Sequence, residues 1–507
     1  MDRLATQFAL CARASKTPGP WAVLARMLVE AGRAAEAVAA AERALALDPR
    51  HPIARAARQA AVTQLEATEP SLAAQELTAA LKAEDPAAHM ALAQTYLELD
   101  RPADAERCFK AALALSPDLA AAHAGLGAAY LSVGIHDGAE HHSRLALAAE
   151  PGHAVASQTL AAVLEARGEA QAARALLHAA YQRQSLFSEP AAEPRLTVLV
   201  LVTVSDGNIP YRHLMPANLY SRHLWYMEHA QESQFAALPP HDLVFNAIGD
   251  PDLAGPTEPA VQRLLAGPHR PLINAPDRVA RTHRDQTPGL LGDIENVVVP
   301  AAVRISAQTV TQLGLDLAVA RAGLTTPVLV RPIGSHGGRG LERAEDDLAL
   351  EAITVDQGGA DLYVTQYCDY QAADGRYRKG RMIFVDRQPY PYHWAISDDW
   401  LVHYESAGMD GATDRQAEEQ RFLDDPAGLI GAGAMAAITA IGQRLDLDYC
   451  GLDFSLLPDG RVLVFEANAT MFVHPEPEGS ELAYKNPSVT RIIEAFKAML
   501  ARRAQQA

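Results

Sequence analysis

The chain has 507 residues and a mass of 54.4 kDa, 49% of them hydrophobic and 21% charged, which is ordinary globular composition with room for about three domains and excludes a disordered chain. A formal net charge of -18 and a pI near 5.4 exclude a broad basic surface of the kind that neutralises nucleic-acid phosphates. Cys11, Cys108, Cys368 and Cys450 show no CxxC spacing, so neither a zinc knuckle nor a disulfide framework is expected, and the thiols are read as reduced and packed.

The opening segment makes a poor signal peptide, because Asp2 and Gln7 interrupt its apolar run. No stretch reaches the roughly 18 uninterrupted apolar residues of a membrane span. A cytoplasmic protein with neither a membrane nor a nucleic-acid partner is expected.

From about residue 18 to 187 the sequence is Ala-rich and repeats at an offset of 34: Ala88-His89 recurs as Ala122-His123, Tyr96 as Tyr130, Ala105 as Ala139 and Pro117 as Pro151. Leu28, Ala37 and Pro49 lie at twice that offset before Tyr96, Ala105 and Pro117. This period, with small residues where helices cross and Pro at the end of a unit, resembles the tetratricopeptide repeat. About five helical hairpins are expected, the second (residues 54–86) degenerate and the last (residues 156–184) a cap. Such a superhelix grips a peptide or protein partner, or serves as a spacer or dimerisation arm.

Residues 188–194, SEPAAEP, read as a linker. Arg195 to Val204, RLTVLVLVTV, is a continuous Val-rich run, as expected of a strand covered on both faces. Further strands at His241 to Ile248 and Pro271 to Ile273, separated by helical segments, predict a parallel α/β layer over residues 195–300. Strands at Thr326 to Pro332, Leu362 to Gln366 and Arg381 to Val385 then predict an α+β domain over residues 301–507.

Directly after the strand carrying Arg331 comes IGSHGGRGL, where Gly334, Ser335, His336, Gly337, Gly338 and Gly340 form a turn able to point backbone N–H groups at phosphate oxygens. Arg331 adds a fixed positive charge beside it. Gln366, Tyr367, Cys368 and Asp369 close an apolar strand at a place where backbone groups can meet an adenine edge and Asp369 a ribose; an ordinary strand end with a solvated Asp is the alternative. Arg376, Arg378, Lys379 and Arg381 form a local basic cluster, of which Arg381 opens the apolar strand and suits stabilisation of developing negative charge. His393, flanked by Tyr392 and Trp394, either orients substrate or packs as a core histidine, and His403 with Tyr404 repeats that ambiguity.

Gly451 to Thr470, GLDFSLLPDGRVLVFEANAT, reads as one β-hairpin. With Asp459-Gly460 as a two-residue loop, Asp453 stands opposite Glu466, and Asn468 lies two residues further along the same face. Like charges opposite each other destabilise a hairpin, so this pairing calls for a compensating cation, and hard oxygen ligands suit Mg2+ carrying substrate phosphates. The other reading, in which one carboxylate faces solvent, is opposed by the apolar run Val462 to Phe465, which describes a buried strand.

In this order the motifs resemble the ATP-grasp superfamily over about residues 195–500, most closely the branch of D-alanine:D-alanine ligase and glutathione synthetase. The resemblance implies an α/β pre-ATP-grasp domain followed by an ATP-grasp domain, with Asp453, Glu466 and Asn468 holding two Mg2+ ions on the ATP phosphates. It implies a catalytic role for Arg381 and a substrate-contacting one for His393. Relatives carry Lys where this chain has Arg331, and Arg284 is the nearest counterpart of a second, upstream lysine. The activity implied is ATP-dependent carboxylate–amine ligation through an acyl phosphate, with unknown carboxylate and amine substrates and a partner on the repeat domain. The alternatives are a kinase of the same fold acting on a hydroxyl, or a scaffold with an inactive nucleotide domain.

Overall fold

A computed structural model describes residues 7–506 apart from 8–9, 12–15, 32, 67–75, 77, 81, 100, 192–193, 336, 357–358, 405 and 478. The chain divides into two compact units, Met1–Gln184 and Ser185–Ala507.

The first unit is a stack of antiparallel helix pairs: Pro18–Glu30 with Ala34–Leu47, Pro86–Glu98 with Pro102–Leu115, Ala120–Ser132 with His136–Ala149, and Ala154–Ala166 with Ala170–Arg183. Pro52–Glu66 opens a further pair, whose second half falls largely on residues outside the described set. Proline begins several of these helices, where its missing N–H costs no helical hydrogen bond. Alanine fills the crossings, with Ala105, Ala112, Ala122, Ala139 and Ala146 fully buried. The repeat also has a polar signature. His89 and His123, at equivalent positions, each reach the carbonyl six residues earlier, of Ala83 at 3.0 Å and of Pro117 at 2.9 Å.

The second unit holds three sheets. The first runs Leu186–Glu189, Tyr220–Tyr226, Leu196–Val202, Leu243–Asn246, Leu272–Ile273 across its width; all of its pairings are parallel except the Leu186–Glu189 edge. Two of its strands were not apparent in the sequence. Tyr220–Tyr226 carries Arg222 and His223 within an otherwise apolar run, and Leu186–Glu189 takes in Ser188 and Glu189 from the segment read as linker. Their polar residues face one another, Arg222 and Glu189 forming an ion pair at 2.7 Å across the two strands.

The second sheet is antiparallel, in the order Ala302–Ile305, Leu362–Gln366, Val328–Pro332, Glu342–Ala344, and encloses its own small core with Leu315, Val319, Leu350 and Ile353. The third runs Gln388–Ser397, Tyr377–Val385, Tyr449–Leu456, Val462–Asn468, Val297–Val298. Helices Thr413–Asp424, Ala432–Leu445 and Asn486–Ala504 pack against it and help enclose the largest core, which also takes in the first sheet through Phe245 against Phe496. No helix among the described residues is long and apolar enough to cross a membrane.

Candidate active site

The hairpin forms with the predicted pairing of Asp453 and Glu466, by a different route. Its loop is not the two-residue Asp459-Gly460 turn. Gly460 N–H bonds Leu457 O and Leu457 N–H bonds Arg461 O, so Pro458, Asp459 and Gly460 form a three-residue loop in which Gly460 alone has positive φ, 84°. Such a loop by itself sets Asp453 opposite Phe465. A bulge restores the register: Phe454 pairs with Val464 and Asp453 with Glu466, leaving Phe465 as the extra residue.

The sheet register then places four functional candidates in one rung, because His393 pairs with Arg381, Arg381 with Asp453, and Asp453 with Glu466. Asn468 follows two residues on, opposite Gly451. Glycine at position 451 leaves room for Met471, whose Cγ would lie 2.3 Å from a Cβ there.

The cations compensating the two carboxylates come from the chain itself. Arg381 forks onto Asp453 at 2.6 and 3.0 Å, and Lys379 reaches the same carboxylate at 2.8 Å. Arg284 is ion-paired with Glu466 Oε1, which also accepts from Asn468 Nδ2. Burial pushes the Asp453 carboxyl up, but Arg381 and Lys379 outweigh it and hold the group far below the usual carboxylate range. Glu466 follows the same pattern, with Arg284 and Arg331 overriding burial. Burial, reinforced by Arg284, lowers the Arg331 guanidinium to about 10. Burial first and Arg381 second drive the His393 imidazole well below its ordinary value. His393 Nδ1 is buried without a hydrogen-bond partner among the described residues, and its ring packs edge-on to Tyr404 at 4.9 Å.

A pocket opens beside the rung. It is lined by Asp250, Asp252, Arg284, Gly334, Ser335, Tyr363, Glu466, Asn468 and Thr470, among others, so that the second and third sheets and the loop after Leu243–Asn246 contribute. Arg331 folds over the glycine turn, with Nε 3.1 Å from Ser335 Oγ and a second bond to Ser335 O. Gly334, Gly337, Gly338 and Gly340 all have positive φ, between 62° and 76°, which explains why the turn is built from glycine. His336 lies outside the described residues.

The structure separates other sequence candidates from this pocket. Thr365 lines it, whereas Gln366 turns its side chain to Thr325 and Pro327, and the Gln366 and Tyr367 amides bond to Ala301 O and Pro327 O. Those two N–H groups are therefore committed within the protein. Asp369 accepts from Gln371 N at 3.2 Å and Tyr367 OH at 3.4 Å, and the Cys368 thiol is partly buried. The basic cluster divides by strand alternation, with Lys379 and Arg381 on Asp453 while Arg378 meets Asp374 and Glu418, and Arg376 meets Asp414.

Sequence reasoning missed Lys379 as a site residue, although its place two residues before Arg381 puts it on the same face. It also missed Asp252, which takes hydrogen bonds from Tyr363 at 2.9 Å and His283 at 2.9 Å and pairs with Arg304. No local signal marks Asp252; only the tertiary meeting of three segments does.

The donor chemistry fits a hard divalent cation in part. Asp453, Glu466 and Asn468 offer oxygen ligands, and Glu466 Oε2 accepts no hydrogen bond among the described residues. Asn468 Oδ1, by contrast, is turned to Thr470 N and Oγ1 at 3.0 and 3.1 Å. No group of three or more His, Cys, Asp or Glu gathers as a metal cluster among the described residues. Around the rung, Arg284, Arg331, Lys379 and Arg381 outnumber Asp453 and Glu466, which favours an anion together with any metal.

Comparison with known proteins bears on each unit. The tetratricopeptide repeat family matches residues 86–119. Among solved structures, the D-Ala:D-Ser ligase VanG of Enterococcus faecalis aligns over 60% of this chain and 99% of its own, at 12% identity and a TM-score of 0.36. A RimK-domain ATP-grasp protein of Sphaerobacter thermophilus aligns over 61% and 99%, at 16% identity and a TM-score of 0.35. YrrB, described as a tetratricopeptide repeat protein with an unusual peptide-binding site, aligns over 35% and 92%, at 18% identity and a TM-score of 0.22. No curated protein sequence matches the chain.

Proposed function

We propose that the pocket binds ATP and that the chain is an ATP-dependent carboxylate–amine ligase of the ATP-grasp kind. The observation that carries this reading is the rung of Arg381, Asp453 and Glu466, joined by Lys379, Arg284 and Arg331 at a pocket bordered by a turn of positive-φ glycines. Five charged groups on rigid strands, Arg284 on a turn beside them and a glycine turn suit phosphoryl transfer, which needs positioning and charge neutralisation more than covalent help.

In this reading Arg284 and Arg331 hold the phosphates, with Ser335 and the glycine turn over them. The γ-phosphoryl group passes to a carboxylate oxygen of the substrate and ADP leaves; an amine then attacks the acyl carbon and phosphate leaves. Arg381 and Lys379 stabilise the negative charge of the acyl phosphate and its tetrahedral adduct. Mg2+ would be held by Asp453, Glu466 and Asn468 and would neutralise phosphate charge. Buried His393 is the cross-strand neighbour of Arg381 in the rung. The repeat unit recruits a peptide or protein partner.

The test is ATP turnover with a panel of carboxylates and amines, scored for ADP, free phosphate and product mass. ADP with free phosphate and a condensed product is expected. A phosphorylated product without free phosphate would establish a kinase instead. Asp453→Asn and Glu466→Gln are expected to abolish turnover, and full activity in both would overturn the assignment of the rung.

A further inference from the structure

The second sheet encloses a core of its own, so burial in a shared core does not fix where its glycine turn stands relative to the rung on the third sheet. Polar and ring contacts between the sheets must do so. Asp252 supplies one tie, from the loop after Leu243–Asn246, by accepting from Tyr363 at 2.9 Å and pairing with Arg304. A second tie comes from the third sheet, in the loop after Gln388–Ser397, residues 398–409.

One guanidinium draws the two ends of this loop together, since Arg415 donates to Ile396 O at 2.9 Å and also to Ala407 O. Val402, Ala407 and Met409 are buried in the largest core, and the Tyr404 hydroxyl donates to fully buried Glu419 at 2.9 Å. The loop is thus a strap with a closed neck and an anchored middle. Its remaining rings meet the second sheet. The Arg343 guanidinium lies over Trp400, 5.0 Å from the ring centroid, and over Tyr367 at 4.8 Å. Glu345 and Tyr367 each follow a strand of the second sheet itself, so of these partners of Arg343 it is Trp400 that crosses to the third. Arg343 comes three residues after Gly340, the last glycine of the turn. His403 touches the turn directly, its Nε2 3.9 Å from where a Cβ on Gly337 would stand.

We propose that Trp400 and His403 are positioning residues for the nucleotide: acting through Arg343 and Gly337, they brace the glycine turn in the conformation that grips phosphates. This rests on the ATP reading of the pocket. A turn with glycine at four positive-φ positions loses more conformational freedom on ordering than any other sequence would. A brace that orders it beforehand removes part of that cost from binding, so the strap acts on affinity without itself touching the ligand.

The full-length protein with Mg2+ tests this, by calorimetric titration of ATP and by thermal unfolding without nucleotide. Trp400→Ala is expected to weaken ATP binding about three- to tenfold, the worth of one cation–π contact. The unfolding midpoint of the nucleotide-free protein should move by no more than about 2 °C, because the contact joins two bodies that each keep their own core. Trp400→Phe, which leaves a ring for Arg343, should retain most of the affinity. Arg343→Ala should match Trp400→Ala, and the double variant should be no weaker than either alone, since both remove one contact. His403→Ala should weaken ATP binding about two- to threefold, as loss of a single packing contact does. Unchanged ATP affinity in Trp400→Ala, losses that add in the double variant, or a loss that comes with a larger fall in the nucleotide-free midpoint each overturn the brace and leave the nucleotide reading standing. Failure of the wild-type protein to bind ATP overturns the nucleotide reading, and the brace with it.

Discussion

The two units are held together over very different distances along the chain. In the repeat unit the side-chain bonds that join helices are short-range: His123 to His142 spans 19 residues, Tyr130 to Glu106 24, and Arg183 to the Pro151 carbonyl 32. In the second unit the bonds that make the site span 72 residues from Arg381 to Asp453, 111 from Tyr363 to Asp252 and 182 from Arg284 to Glu466. A structure built from neighbours can lose one contact and fray locally, since each repeat contacts only the next. A structure built from distant segments loses the site when one contact goes.

The largest effect that would break this contrast is at Asp453. Removing its carboxylate in Asp453→Ala leaves Arg381 and Lys379 facing each other without a partner in a buried place, a loss of about 3–5 kcal/mol for a broken buried pair. Denaturant unfolding of the second unit should show that loss, and ADP release should fall to background. A loss below about 1 kcal/mol would mean that the three side chains rearrange as freely as surface groups.

Two glycines carry the contrast a step down. A methyl group at Gly451 would press on Met471 in the closed face of the site strand, and one at Gly127 would press on Ser143 Oγ at 2.8 Å where two repeat helices cross. Overpacking of this kind costs about 1–3 kcal/mol. Gly451→Ala should therefore lower both the unfolding midpoint of the second unit and turnover, because Asn468 stands opposite it. Gly127→Ala should lower helical content by circular dichroism and leave ADP release alone. Equal loss of turnover in both would show that the units unfold as one.

The same difference in range decides what the sequence could reveal. The 34-residue offset was visible because each repeat answers the same local demand, as His89 and His123 show by bonding the same preceding turn. Parallel strands covered on both faces were visible as Val-rich runs, whereas Tyr220–Tyr226 was hidden by a buried arginine whose partner lies outside its own strand. At the site, the pairing of Asp453 with Glu466 was legible, yet through two compensating features: the loop is one residue longer than Asp459-Gly460 suggests, and Phe465 bulges by one residue to correct it. Parity of side chains along a strand survives such errors; loop type does not. Lys379 was legible by parity with Arg381 and was passed over. Asp252 was not legible at all, because nothing near it in sequence announces His283, Arg304 or Tyr363.

Acid offers a smaller separation of the two units. Burial lowers the pKa of His142 to about 4 in the repeat unit, and in the second unit lowers those of His213, His223 and His393. Each is depressed in the folded state, so the unfolded chain takes up its proton first: stability is complete above the ordinary value of about 6.5 and is lost as pH falls below it. The repeat unit should lose one proton's worth between pH 6.5 and about 4, and the second unit three as the pH falls below 6.5. Denaturation at a series of pH values, followed by helical circular dichroism and by fluorescence of Trp225 and Trp394, measures the two slopes. His142→Gln should flatten the first and leave the second as it was.

The smallest expected effect is at Arg144, four residues after Glu140 on a repeat helix and paired with it at 2.8 Å. The guanidinium side chain is 60% exposed, so solvent screens most of the attraction. Glu140 also keeps a second partner, Arg167, at 2.6 Å, so its carboxylate is not left alone when Arg144 is removed. Arg144→Ala should therefore cost no more than about 0.5 kcal/mol, and less in high salt. Asp453 has two cationic partners as well, but there it is the shared carboxylate that is removed, and its loss strands both cations away from water. The gap between these two substitutions, about six- to tenfold in free energy for ion pairs of similar length, measures how much of each unit's stability is burial and how much is charge.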